Sequence, residues 1–371
     1  MNSVSFSMKH NRRDALRVLG CSATSAAALM LAGCPLAMPE SSPMPAAEGD
    51  SETVPIDVLV DQTLRIEKQT RGLSTMVNGA WQIFHGVLAY GDEFEVDTPA
   101  GRTSALAYFA DGGTCSGFQP SLGDRLDDDQ RWGLRVDLEA STKIGQGHRD
   151  QWLAVVAQAG LGVNAPWVVG EHTLKIDDWM RQAEWDVPLN YETEFSWTLI
   201  PLSMYRPTDY RWTARDGDDY STELLLQSEV MRDLSASVCG GTHRLIGIAF
   251  AVRKRVSEGN PLTGVWSDAQ QHLDAAIEMA RVNQNPDGSY STSYMHRSGW
   301  CNDLGEMLGT TGHVLEFLAI SADQQTLRSD WVQRSVRKLC GVLQQCRGID
   351  LECGVLYHAL HGLAEYQRRT A

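Results

Sequence analysis

The feature that most restricts what this chain can fold into is an alternation, along residues 55–371, of helical segments that are apolar on one face with segments that are apolar almost all round. In Val265 to Gln284, the residues Ala269, Leu273, Ala276, Ile277 and Ala280 recur at helical spacing on one side. Ser267 with Gln270 offers a capping box at its start. The following segment, Leu304 to Ile320, carries His313, Val314, Leu315, Phe317, Leu318, Ala319 and Ile320, the composition of a helix enclosed on every side. The pairing repeats. Leu327 to Leu343 sets Trp331, Val332, Val336, Leu339, Cys340 and Leu343 against Arg328, Arg334, Arg337 and Lys338, and precedes the mostly apolar Gly354 to Tyr366. Ser221 to Ser235 precedes Thr242 to Val252, Leu174 to Trp185 precedes Glu194 to Met204, and Val54 to Thr70 precedes Met76 to Tyr90. Gln146 to Ala159 is a further inner segment with no evident outer partner. An inner ring of parallel helices, each reached through an outer amphipathic one, buries such a pattern. The sequence therefore predicts a mainly α fold, an (α/α)5–6 barrel or toroid of helical hairpins.

Between Gly91 and Ser141 the pattern changes. Short alternating runs such as Glu93-Phe94-Glu95-Val96 and Leu134-Arg135-Val136-Asp137-Leu138, separated by Gly and Asp clusters, predict strands or an irregular excursion over 91–141 near one rim of the barrel. Asp127-Asp128-Asp129 reads as a solvated loop.

Residues 1–34 are an address and not part of the fold. Asn11-Arg12-Arg13-Asp14 followed by a small-residue apolar run from Ser22 to Leu31 resembles a twin-arginine export signal, and Leu31-Ala32-Gly33-Cys34 resembles a lipobox. The resemblance implies lipidation at Cys34 and a protein exported to the bacterial cell envelope, held to the membrane on its periplasmic side. The apolar run is far shorter than the roughly 20 residues needed to span a bilayer. Twin-arginine export carries folded cargo, as suits a domain that matures, with or without a metal, before crossing. Residues 35–54, with four prolines and almost no bulky apolar side chains, read as a disordered tether ahead of a domain over 55–371. The formal charge of −15 becomes three units more negative once residues 1–33, which hold Lys9, Arg12, Arg13 and Arg17 against Asp14, are removed. Such a surface argues against nucleic acid as a partner.

Gln284-Asn285-Pro286-Asp287-Gly288-Ser289-Tyr290 resembles the Gln-x-x-Asp-Gly-Ser-aromatic turn of the α/α toroids of terpenoid cyclases and protein prenyltransferases, with Tyr in place of Trp. The resemblance implies the toroid and no particular chemistry. Two further motifs have the residue types of those families. Asp216-Gly217-Asp218-Asp219 has the Asp-x-Asp-Asp form with which class II cyclases protonate an alkene, but it stands just before an outer helix, where acidic residues suit the positive N-terminus, and reads as a cap. Cys301-Asn302-Asp303 with the later His358 has the residue types of the prenyltransferase zinc site, with Asp and Cys in reversed order.

The chemistry-bearing residues gather at the starts of inner helices. Gly145-Gln146-Gly147-His148-Arg149-Asp150, Cys239-Gly240-Gly241-Thr242-His243-Arg244 and Asn302-Asp303-Leu304-Gly305-Glu306, running on to His313, are glycine-rich turns with polar side chains. If the inner helices are parallel, His148, His243, Asp303, Glu306 and His313 meet at one mouth as candidate catalytic groups. Trp81, His85, Trp152, Glu194, Trp197, Tyr357 and His358 are candidate substrate-binding walls, of the kind that six-hairpin glycosidases and lyases offer to sugars. A histidine at a helix start also serves simply as a satisfied interior group; recurrence across three hairpins favours function. The chain has no Cys-x-x-Cys pair and no His-Glu-x-x-His, so no metal ligand is assigned, and zinc or another divalent metal stays open. Six mature cysteines, Cys115, Cys239, Cys301, Cys340, Cys346 and Cys353, allow 15 pairings or remain buried thiols; a bridge among Cys340, Cys346 and Cys353 is one option. Two functions follow: a hydrolase or lyase on a carbohydrate or related polymer, or a non-catalytic toroid that binds a small molecule or a protein.

Overall fold

Among the described residues, six pairs of helices follow one another. The structure, a computed structural model, describes residues 54–126, 131–190 and 193–371; the export signal with Cys34, nearly all of the tether and Asp127-Asp128-Asp129 lie outside the described residues. Helix α1 (Ile56–Thr70) precedes α2 (Ala80–Tyr90), α3 (Ala105–Ala110) precedes α4 (Gln151–Gln158), and α5 (Ile176–Asp186) precedes α6 (Ser196–Tyr205). Then α7 (Thr222–Val230) precedes α8 (Thr242–Ser257) and α9 (Val265–Asn283) precedes α10 (Leu304–Ser321). After the single turn α11 (Gln324–Leu327), α12 (Asp330–Gln345) precedes α13 (Cys353–Thr370). Among the described residues no helix is long and apolar enough to cross a membrane.

Burial follows the sequence pattern. In α12 only the stripe containing Val332, Val336, Leu339, Cys340 and Leu343 is buried with its neighbours, whereas in α10 every residue from Met307 to Ile320 is. The second members of the pairs touch in order: α2 packs on α4, α4 on α6, α6 on α8, α8 on α10, α10 on α13, and α13 back on α2. Their contacts close a cycle. First members lie against them, with α1 on α12 and α13, α7 on α8 and α9, and α12 on α10.

The most extensive of these contacts is α10 against α13, and glycine makes it possible. A Cβ on Gly312 would stand 2.8 Å from Ala359 Cα. Backbone cannot yield as a flexible side chain does, so Gly312→Val is expected to cost about 3 kcal/mol or more, read as a fall in the urea midpoint. An unchanged midpoint would mean that the two helices are not held this close.

The Gln284–Tyr290 turn joins two outer helices. Gln284 Nε2 donates to Trp331 O (2.7 Å) and Ser335 Oγ (2.8 Å), Asp287 pairs with Lys338 (2.9 Å) and accepts from Ser289, and Tyr290 is buried. Gly288 sits at φ +90° with Arg334 O beside it, where a Cβ would come within 2.4 Å. The motif thus stops α9 and clamps it to α12.

Small sheets fill the connections. Strands β1 (Leu73–Ser74), β2 (Glu95–Thr98) and β3 (Gly101–Ser104) form one sheet, β1 parallel and β3 antiparallel to β2. Antiparallel ribbons pair β4 (Ser121–Leu126) with β5 (Arg131–Arg135), β6 (Pro166–Val169) with β7 (His172–Lys175), and β8 (Arg211–Thr213) with β9 (Asp219–Ser221). The strands expected over 91–141 are therefore β2 to β5. That stretch also holds α3, capped by Ser104 and burying Ala105, Leu106 and Phe109, a helix that precedes Gln146 to Ala159 in the chain and packs on α2 and β6. Six residues are too few for a periodicity to stand out.

Four expectations need correction. Leu174 belongs to β7, opposite Trp167, so its helix starts at Ile176. Met76 and Val77 are 63% and 84% exposed in a turn, and α2 begins only at Ala80. Asp216-Gly217-Asp218-Asp219 does not cap α7: it turns the β8–β9 ribbon, with Gly217 at φ +84° and Asp216 accepting from Tyr220 Oη (2.9 Å), while Ser221 caps the helix by accepting from Leu224 N. All six described cysteines are free thiols, so the bridge considered among Cys340, Cys346 and Cys353 is not formed.

Candidate functional site

Each member of the helix cycle contributes an aromatic or imidazole ring to one cluster. His85 comes from α2, His148 from the turn before α4, Trp197 from α6, His243 from α8, His313 from α10 and His358 from α13. Ring centroids run without a break: His85 to His358 is 5.3 Å, His358 to His313 4.2 Å, His358 to His243 5.2 Å, His243 to His148 5.8 Å and His148 to Trp197 5.5 Å. His148 and Glu194 stand just before their helices, and His243 is the second residue of its own. The cluster therefore meets α4, α6 and α8 at their N-terminal ends, and α2, α10 and α13 part-way along their lengths.

The local sequence holds these groups in place. Asp150, at φ +62°, accepts from Thr198 Oγ1 (2.6 Å) and Asn190 Nδ2 (3.2 Å), tying the start of α4 to α6. Burial pushes its carboxyl up. Gln151 Oε1 accepts from Gly147 N (2.9 Å), which fixes the His148 turn. Glu229 of α7 accepts from Phe195 N (2.8 Å), Ser196 Oγ (2.7 Å) and Arg244 Nη1 (2.7 Å), locking the first turn of α6 against α8. Cys239 at φ +52°, Gly240 at +63° and Gly241 at +79° form the left-handed entry to α8, packed under Tyr294 and Leu234.

Glu194 is the carboxylate of the site. It accepts from His148 Nδ1 (2.6 Å) and Trp197 Nε1 (2.9 Å). Burial pushes its carboxyl up, yet the hydrogen bond and charge of His148 and the charge of Arg244 outweigh this and hold it below the usual range. An ionised carboxylate only accepts, so the His148 ring must donate from Nδ1.

The inner histidines share one design. His85 Nδ1 donates to Trp81 O (2.5 Å) and His313 Nδ1 to Gly309 O (2.7 Å), because carbonyls only accept. His358 Nδ1 bonds Glu316 Oε2 (2.8 Å), and His361 Nδ1 bonds Glu316 Oε1 (2.6 Å). His85, His313 and His358 thus each spend Nδ1 on a partner and keep Nε2. Burial pushes His85 down to about 3, with the neighbouring His358 charge adding to it, and pushes His313 down as well. His243 is also held well below its ordinary value, by burial first and then by His358, His313 and His148. It is 6% exposed, and both of its ring nitrogens are buried without a hydrogen-bond partner.

Of the sequence-derived candidates, the structure joins His85, His148, Glu194, Trp197, His243, His313 and His358, with Trp81 half-buried beside His85 at a centroid distance of 4.4 Å. Trp152 is fully buried behind them, stacked on Phe84 (4.7 Å). Tyr357 turns away into the core against Phe94 and Tyr90. Asp303 and Glu306 are exposed and form no hydrogen bond with the cluster; Asp303 caps α10 by accepting from Glu306 N (2.9 Å). An exposed helix start is a common place for such a cap, and that role accounts for Asp303. Cys301 Sγ donates to Asp303 O (3.6 Å), whereas His358 bonds Glu316.

Sequence reasoning missed Glu316, because a lone Glu in an apolar helix carries no motif, and it missed Glu352, which caps α13 and accepts from Trp81 Nε1 (3.0 Å) at the rim. A cavity of about 10 Å³, room for one water, lies among Trp197, His243, Glu316 and His358. A larger recess of about 690 Å³, between Arg125, Arg206, Tyr210 and Trp212, contains none of the cluster. Compared with protein-family models, curated proteins and solved structures, the chain matches none of them.

Proposed function

We propose that the chain is an exported protein, lipid-anchored through Cys34 to the cell envelope, whose helical pairs form an α/α toroid. The closed cycle of contacts among α2, α4, α6, α8, α10 and α13 supports the fold, and the Arg12-Arg13 and Leu31-Ala32-Gly33-Cys34 motifs support the address. Its activity in this reading is that of a hydrolase or lyase on a carbohydrate or related polymer. One observation carries it: His148, partly exposed, donates at 2.6 Å to a Glu194 that is held ionised. A carboxylate that fixes one imidazole nitrogen leaves Nε2 to take a proton from, or return one to, a bound substrate. Trp197 is buried against His148, so the ring left to meet a substrate is the half-buried Trp81 beside His85.

The test is release of new reducing ends from a panel of polysaccharide fragments by the purified protein. His148→Ala is expected to lower turnover by about 10²–10⁴-fold, with the circular dichroism spectrum retained. Absence of turnover on every fragment, with retention of a fragment on the folded protein, would favour the non-catalytic binding toroid.

A further inference from the structure

We infer that Cys239, His243 and His313 form a binding site for one transition-metal ion of the zinc class. Their ligand atoms all lie within 4.8 Å of one another. A single tetrahedral ion with metal–ligand bonds of about 2.0–2.3 Å can therefore reach a thiolate and two imidazoles after small side-chain adjustments.

Three independent features of the site point to a ligand. First, both His243 nitrogens are buried and unpartnered. An orphaned buried polar atom is costly, so a ligand that engages a His243 lone pair relieves that cost. Second, His313 is set up as a ligand is: Nδ1 donates to the Gly309 carbonyl, which fixes the ring and directs Nε2 away from its own helix. Third, Cys239 is carried in a strained left-handed turn, followed by two left-handed glycines that place the thiol one helical turn ahead of His243. A non-glycine residue at positive φ persists where the surroundings over-determine it, commonly at sites with a function.

Cys239 and His243 come from one turn and His313 from the neighbouring helix. The ion would bridge α8 and α10 and keep one coordination position open, the arrangement of a catalytic and not of a closed structural zinc. His148, Glu194 and His243 also bring ligand atoms within 4.8 Å. Thiolate chemistry favours the set containing Cys239, because soft sulfur selects zinc-class ions over hard cations. The His148–Glu194 pair is then left beside the ion for proton transfer. This inference deepens the hydrolase or lyase reading by giving its site an ion.

The test uses the purified full chain. After incubation with zinc and gel filtration, about one ion per chain is expected by elemental analysis. With cobalt(II) in place of zinc, a thiolate-to-metal charge-transfer band is expected in the near ultraviolet. Cys239→Ser should abolish that band and lower the retained metal at least tenfold. His313→Asn should lower retention similarly, with the circular dichroism spectrum of both variants unchanged. Retention without a sulfur band, lost in Glu194→Gln and not in Cys239→Ser, would overturn the assignment in favour of the other set. Failure to retain either ion would overturn it outright. Should either variant fail to fold, the cobalt band of the wild-type chain decides alone. Loss of the metal site with His148-dependent turnover intact would leave the activity reading standing.

Discussion

Replacing Glu316 with Leu is expected to lower the stability of the folded protein by about 3–5 kcal/mol. Glu316 is 2% exposed in α10, and its two oxygens receive His358 Nδ1 and His361 Nδ1 from α13. Burial pushes the carboxyl up, but the two histidines outweigh it and hold Glu316 well below its ordinary value. Burial likewise pulls His361 down, and its bond to Glu316 more than compensates, so its value is raised. Removing the carboxylate leaves two imidazoles in the core of the α10–α13 contact with their donors unmet. Glu316→Gln keeps one acceptor and is expected to cost about half as much. Urea unfolding with an unchanged slope would measure both. Equal midpoints for wild type and Glu316→Leu would show that the triad adds nothing. The signs also define a pH window. Glu316, lowered, contributes above about 4.5 and loses that contribution as pH falls through its folded value; His361, raised, contributes below about 6.5 and loses it as pH rises through its own. Both are fully present between about 4.5 and 6.5.

Much of this helix plan was legible because burial imposes a visible period. An outer helix such as α12 must set Val332, Val336 and Leu339 on one stripe against arginines, and an inner one such as α10 cannot afford a polar face. The parts that escaped notice are those in which few residues share a pattern. Helix α3 has six residues, and the ribbons β6–β7 and β8–β9 take three or four residues per strand. Each is decided by tertiary contacts and turn glycines. Part of the histidine cluster was legible for a different reason: glycine turns recurring at helix starts pointed to His148 and His243, whereas His85, His313 and His358 join them from the middle of their helices. Glu316 was not, since its partners His358 and His361 are 42 and 45 residues away in sequence and meet it only through the approach of Gly312 and Gly362. Asp303 and Glu306 misled because an acidic residue at a helix start serves equally as a cap and as a catalyst, and composition cannot separate the two.

The same burial that hides the histidines makes acid the weak flank of the fold. His85 is enclosed by α2 and α13, with His358 beside it and Glu352 and Glu316 as more distant carboxylates, and burial dominates to push it down to about 3. In the unfolded chain the same imidazole titrates near 6.5. A depressed histidine therefore favours folding fully above about 6.5, and that contribution is lost as pH falls toward the folded value, at about 1.4 kcal/mol per pH unit. His85 alone removes about 4–5 kcal/mol between pH 6.5 and 3, a large part of the roughly 5–15 kcal/mol typical of a folded domain. In the metal-free protein His243 and His313 are depressed for the same reason and steepen the fall. Urea midpoints taken across this range are expected to decline steadily below pH 6.5. In His85→Leu the decline should be shallower by about one proton, since an aliphatic side chain has nothing to titrate. Zinc in excess should raise the curve near neutral pH by about 2.7 kcal/mol at a concentration 100 times its dissociation constant. Protons compete with the ion for the same lone pairs, so that gain should shrink as the pH is lowered. A wild-type midpoint flat from pH 7 to 4 would mean that the imidazoles are already solvated, and the enclosed cluster could not then be the resting form of the protein.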